Sequence, residues 1–177
     1  MFSETVKQLK PVSSEQRRFL DKVCAAMQAY FGNDQRRIDH ALQVASYAEQ
    51  MLAFIEADAV VAMSAAYLHD IGIPEAERVH GSSAGNWQEI EGPPVARRIL
   101  RQLEAEPELI ERVATLVGCH HTPNGDNSAE FRILWDADAL VNFQEIAEEK
   151  GRGQMEVIIN NHMVTEPGFR MAQDLFL

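Results

Sequence analysis

The chain has 177 residues, 46% of them hydrophobic and 24% charged, with a formal net charge of −11. That length and composition suit one globular domain with one substantial core, and that charge argues against a nucleic-acid polymer as partner, because displacing its counterions takes a basic surface. Two cysteines, Cys24 and Cys119, are too few for a disulfide framework or a Cys-rich zinc site and read as reduced thiols.

The segment Met1–Lys10 is too polar for the apolar region of a signal peptide, and no apolar run approaches the roughly 18 residues of a membrane span. The expectation is a soluble, cytoplasmic protein with no membrane partner. Helical periodicity then runs from end to end. A first helix spans about Ser14 to Phe31, with Phe19, Leu20, Val23, Cys24, Met27 and Tyr30 on one face, a Ser13/Gln16 capping box before it and Gly32 after it. Asn33 or Asp34 caps a second helix carrying Ile38, Ala41, Leu42, Ala45, Ala48 and Leu52. The third, Asp58 to Ile71, is apolar nearly all round, the mark of a central, buried helix.

Residues Gly72–Gly92 are rich in Gly, Ser and polar side chains and read as a long irregular stretch, a length that in a compact domain is usually functional or disordered. Pro93-Pro94 is expected to open a fourth helix (Val95 to Leu103), and Pro107 a fifth (Glu108 to about Cys119). A sixth spans about Glu130 to Ala147, a seventh Gln154 to His162, and a short one follows Gly168. The fold class is all-α, a single domain over residues 1–177 with roughly seven to nine helices.

The most telling local feature is His69-Asp70, which closes the apolar third helix and leads into Ile71-Gly72. An imidazole and a carboxylate at the end of a buried helix each cost free energy unless partnered, and a divalent cation is a natural partner for both. His40 lies at the border of the second helix's apolar stripe, where a histidine either bonds a neighbour or ligates. On the sixth helix, at about 100° per residue, Asp138 falls beside Leu134 and Val141 in the apolar stripe, calling for a metal or a buried arginine. Asp136 falls on the opposite face and reads as solvated or as a support from outside the ligand set. His120-His121, at the end of a helix, supplies further imidazoles or merely complements the helix dipole. Glu91 sits where a helix is expected to begin, a favoured place for a carboxylate in any case. His80, inside the long irregular stretch, is either a substrate contact or plain surface. Arg36, four residues before His40, projects from the same helical face, with Arg37 beside it.

Taken in order, His40, His69-Asp70 and Asp138 reproduce the H…HD…D pattern of the HD-domain superfamily, and Leu68-His69-Asp70-Ile71-Gly72 resembles its HDIG variant. Arg37-Ile38-Asp39-His40-Ala41-Leu42, Gly92-Pro93-Pro94-Val95-Ala96, Cys119-His120-His121-Thr122 and Ala137-Asp138-Ala139-Leu140 extend the likeness over about residues 33–143. The resemblance implies an all-helical, metal-dependent phosphohydrolase in which His40, His69, Asp70 and Asp138 hold a divalent ion: Mn, Fe, Co, Ni, Zn or Mg. Binuclear members read His-Gly where this chain reads Glu91-Gly92, while His120 and His121 keep further ligands available, so that one ion or two are accommodated.

In that reading Asp70 orients the attacking water, and Glu91 or His120 serves as acid or base. Arg36 or Arg37, placed by spacing on the side of His40, is expected to hold the phosphate of a small phosphoester, a nucleotide in the leading reading, with His80 as a further contact. Two rivals stand beside it: a catalytically idle module that senses a nucleotide, and a di-iron oxygenase on the same fold.

Overall fold

Ser13 and Gln16 form the expected capping box, each side chain accepting the other's backbone N–H, at 3.2 and 2.9 Å. They start α1 (Ser14–Phe31) in a computed structural model that describes residues 12–177. The polar segment Met1–Lys10 lies outside the described residues. The chain continues through α2 (Gln35–Leu52), α3 (Ala59–Leu68), α4 (Ile73–His80), α5 (Gly85–Gln102), α6 (Pro107–Val117), α7 (Ala129–His162) and α8 (Glu166–Phe176). Among the described residues there is no strand, and no helix is long and apolar enough to cross a membrane.

The third helix sits at the centre. Asp58 caps it by accepting the N–H groups of Val60 and Val61. Val61, Met63, Ala65, Ala66 and Leu68 are all buried, because α1, α2, α6 and α7 pack around it. An apolar helix has no other stable place, since each buried aliphatic side chain contributes about 1.5–3 kcal/mol relative to exposure.

Two expectations fail between residues 72 and 103. The irregular stretch is helical: it forms α4 and the first two turns of α5. Gly81 ends α4 in the left-handed conformation (φ 66°), and Pro74 lies in its first turn. Pro93-Pro94 does not open a helix but lies inside α5, which begins at Gly85, so Glu91 stands in mid-helix rather than at an N-terminus. An interior proline forgoes a helical hydrogen bond at a cost of about 3 kcal/mol. Tertiary packing overrides that cost here: α5 lies between α4 and α6, burying Pro93, Val95, Ala96, Ile99 and Leu100. Gly92 also relieves the crowding that a Cβ before proline would cause.

The approach is close because both partners are glycine. A Cβ on Gly72 would lie 2.5 Å from the Gly92 nitrogen and 2.7 Å from the Gln88 carbonyl oxygen. The predicted sixth and seventh helices are both present: they follow one another along α7 and are separated by a kink at Gly151, whose φ of 71° suits glycine.

The Gly72–Gly92 contact yields a stability prediction. Gly72→Ala is expected to lower the Tm by about 4–10 °C, because its obstacles are backbone atoms that cannot rotate aside. Gly153→Ala, with nothing within 4 Å, should leave the Tm unchanged or raise it slightly. Calorimetry on the pair checks this.

Candidate metal centre

Four elements aim side chains at one point. The backbone of His69 is still helical (φ −56°, ψ −44°), so α3 carries this imidazole, wholly buried, to the end of its axis. Ile71 N–H then donates to the Leu68 carbonyl and Ile73 N–H to the Asp70 carbonyl, each at 3.0 Å, turning the chain into α4 with Asp70 at the bend. His40 comes from the middle of α2, Asp138 from α7, and His120 from the turn that follows α6.

The structure brings His40, His69, Asp70 and Asp138 together. His40 Nε2 lies 3.2 Å from His69 Nε2, 3.0 Å from Asp138 Oδ1 and 3.6 Å from Asp70 Oδ2. His69 Nε2 lies 3.5 Å from Asp70 Oδ2 and 3.5 Å from Asp138 Oδ1. A tetrahedral ion with bonds of about 2.1 Å would hold its ligand atoms about 3.4 Å apart, inside that range.

The protonation pattern also calls for a cation. His69 Nδ1 donates to the Ala66 carbonyl at 2.8 Å, so a neutral ring presents only a lone pair at Nε2, facing two carboxylates. Positive charge must enter as a proton or as a metal ion. Burial, the largest single influence on His69, disfavours the charged ring, but Asp70 and Asp138 outweigh it and push its pKa up to about 9. Burial likewise opposes the Asp70 carboxylate, while His69 and His120 hold its pKa down at about 2. Asp138 is held well below the usual carboxylate range by hydrogen bonds from His40 and His69, against the pull of burial.

His120 repeats the arrangement. Its Nδ1 is bonded to the Val117 carbonyl at 2.8 Å, its Nε2 lies 3.5 Å from Asp70 Oδ1, and that Nε2 is buried with no hydrogen-bond partner among the described residues. An orphaned, buried imidazole nitrogen beside a carboxylate fits a ligand better than a packing residue. Donor atoms of Asp70, His120 and His121 lie within 4.8 Å of one another, as do those of His40, His69 and Asp70. Both of the adjacent histidines are therefore near the centre. His121 Nε2 is 3.1 Å from Gln88 Oε1, and burial, then His120, lowers its pKa.

The remaining expected residues are distributed around this centre. Arg36, Arg37, His40 and Asp70 line a cleft of about 790 Å³. Arg37 is held by Asp34 at 2.9 Å and Glu77 at 2.6 Å, whereas exposed Arg36 pairs with Glu145, at 3.2 Å. Glu91 Oε1 is 2.8 Å from His80 Nε2, whose ring stacks on Trp87 at 3.9 Å; neither His80 nor Glu91 lines the cleft.

Asp136 is not solvated. It is fully buried and accepts from Val164 N–H (3.0 Å), Thr165 N–H (2.8 Å) and the Thr165 hydroxyl (2.6 Å). The side of α7 opposite the core stripe is covered by α8, so both faces are inside. Burial raises the pKa of Asp136 against those three bonds.

Several residues near the centre escape notice in the sequence. Glu89 accepts His121 N–H (2.9 Å) and the Thr122 hydroxyl (2.9 Å), holding the turn that carries His120. Trp135, Asn142, Phe143 and His162 border a second, smaller cavity beside His120 and Asp138. A carboxylate three residues before Gly92 was a readable signal for Glu89; no local pattern announces the others.

The family model described as "HD domain" matches residues 37–142. Among solved structures, the chain is similar to a predicted HD superfamily hydrolase from an uncultured Thermotogales bacterium, with 25% identity, a TM-score of 0.59, and coverage of 89% of this chain and 83% of that one. No curated protein matches.

The charged cluster makes stability depend on pH in chelator-treated protein. The raised pKa of His69 gives a contribution fully present below its unfolded value of about 6.5 and lost as pH rises through about 9. The lowered pKa of Asp70 gives one present above about pH 4 and lost as pH falls through about 2. The Tm is expected to be highest between about pH 4 and 6.5 and to decline toward pH 9, with a shallower decline in His69→Gln. A flat wild-type profile over pH 6.5–9 would remove the proton from His69.

Proposed function

The chain belongs to the HD-domain family, whose members bind divalent metals, and from that premise we propose that it is a metal-dependent phosphohydrolase acting on a small phosphoester of the nucleotide class. The observation that carries this reading is the cluster of imidazole lone pairs and carboxylates that only a cation or a proton can reconcile. His40, His69, Asp70 and Asp138 would hold the ion, and Asp70, His120 and His121 form a second set for another. When bound, the ion supplies Lewis acidity that makes water nucleophilic near neutral pH and polarises a phosphoryl oxygen.

The chain's own residues do the rest. Asp70 turns Oδ2 to His40 and His69 and Oδ1 to His120, so one carboxylate serves both halves of the centre. Its Oδ1 takes the proton of the attacking water and passes it to His120 Nε2, 3.5 Å away, which delivers it to the leaving oxygen as the phosphorus–oxygen bond breaks; His120 has this role only where the second set holds no ion. Arg36 binds the phosphate, exchanging Glu145 for it; an exposed ion pair of this kind is worth about 0–1 kcal/mol and yields readily. Arg37, tied to Asp34 and Glu77, links α2 to α4 at the wall of the cleft. Glu91, an acid–base candidate by sequence, is engaged with His80 and is assigned no proton transfer.

Elemental mass spectrometry on protein purified without chelators is expected to find at least one divalent ion per chain. Asp138→Ala and Asp70→Ala should lose it, together with at least about 100-fold in kcat for a phosphoester. Asp136→Asn, two residues away, should keep the ion and lower the Tm. Retention of the ion in Asp138→Ala would sink the assignment. In kinetics, Arg36→Ala is expected to raise KM for phosphoesters about 5- to 20-fold with little change in kcat; an unchanged KM would remove Arg36 from phosphate binding.

A further inference from the structure

Two cavities open beside the same cluster, and their chemistry differs. The larger cleft has Arg36 and Arg37 in its wall; the smaller chamber, about 220 Å³, has neither Lys nor Arg among its lining residues. Asn142, one turn beyond Asp138 on α7, borders both. The chamber has one aromatic side. The Trp135 and His162 rings stack at 4.7 Å and 13°, and Phe143 meets His162 edge-on at 5.5 Å and 71°. The Trp135 indole N–H donates to the His162 carbonyl at 3.1 Å, fixing one ring against the other. His120 and His121, their rings 4.0 Å apart, also line it.

We propose that this chamber is the subsite for the leaving group of the phosphoester, and that it takes one uncharged planar ring system of nucleobase size. The inference rests on the phosphohydrolase reading for the other half of the substrate. Aromatic walls favour stacking of a flat ring, and the Asn142 amide offers a donor and an acceptor to its edge. The volume is below the roughly 300–1,000 Å³ of pockets for drug-sized ligands, so one ring system fits and a longer chain does not. A second phosphate or a carboxylate would find no lysine or arginine in this lining, whereas the larger cleft offers Arg36 and Arg37. The phosphate thus lies toward Arg36 and the ring toward Trp135, with Asn142 at the junction.

Intrinsic fluorescence of metal-loaded protein, titrated with adenosine and with uridine, tests the chamber without the phosphate. At least one of these nucleosides is expected to quench saturably through Trp135, and the quenching should vanish in Trp135→Phe. Ribose 5-phosphate, which carries the phosphate and the sugar but no aromatic ring, should not quench. His162→Ala, which removes part of the wall, and Ala139→Leu, which fills the chamber from α7, are independently expected to weaken nucleoside binding at least about tenfold. Both should raise KM for a nucleoside monophosphate while leaving KM for ribose 5-phosphate within about twofold. No saturable binding of either nucleoside, or binding unchanged in both folded variants, overturns the subsite. Nucleoside binding that depends on these residues, without hydrolysis of any phosphoester under any divalent ion, overturns the phosphohydrolase reading and leaves the subsite standing. Hydrolysis with no discrimination between esters with and without an aromatic ring does the reverse.

Discussion

Everything in this fold is organised around a shortage of positive charge at one buried point. A neutral His69 spends its only N–H on the Ala66 carbonyl, and what remains faces two carboxylates and another imidazole. Such an arrangement is costly in a low dielectric unless a cation completes it, and half-completion is worse than an apolar core. The protein holds four acceptors in this geometry because three helices, α2, α3 and α7, and the bend that follows α3 bring them to one point, and each has its own reason to be where it is.

The anchoring is mostly apolar and backbone chemistry rather than polar contacts at the centre. The third helix delivers His69 because its alanine, valine and leucine faces leave it no alternative to the middle of the bundle. The bend at Asp70 is possible because Gly72 and Gly92 let two backbones meet without side chains between them. Glu89, an ordinary surface carboxylate by composition, clamps the turn on which His120 sits. Residues that never touch a ligand thus set the distances among those that would.

What the sequence discloses, and what it hides, follows from whether a signal is local. His69-Asp70 stands out because polar groups at the end of an all-apolar helix are anomalous within a single turn. Asp138 is separable from Asp136 by helical phase, a property of a few neighbouring residues. The same phase argument misplaces Asp136, because it supposes that a helix has one covered face and α7 has two. Composition misleads across residues 72–92, where glycines and serines suggest a loop; Pro74 in a first turn and Gly81 at a C-terminus were the better guides. Pro93-Pro94 reads as a helix start because the cost of an interior proline is local, whereas the packing that offsets it comes from α4 and α6. The aromatic chamber is invisible in one dimension: Trp135 and His162 are 27 residues apart and meet only because the chain bends at Gly151.

Asp136 and Asp138 point in nearly opposite directions from one helix, since two residues advance about 200° around the axis. One is bonded to the backbone ahead of α8, the other to His40 in α2. The helix between them is therefore locked against rolling, because any rotation that drew Asp138 off the centre would also tear Asp136 from Thr165. A bolt secured on both sides makes this wall the stationary jaw of the molecule.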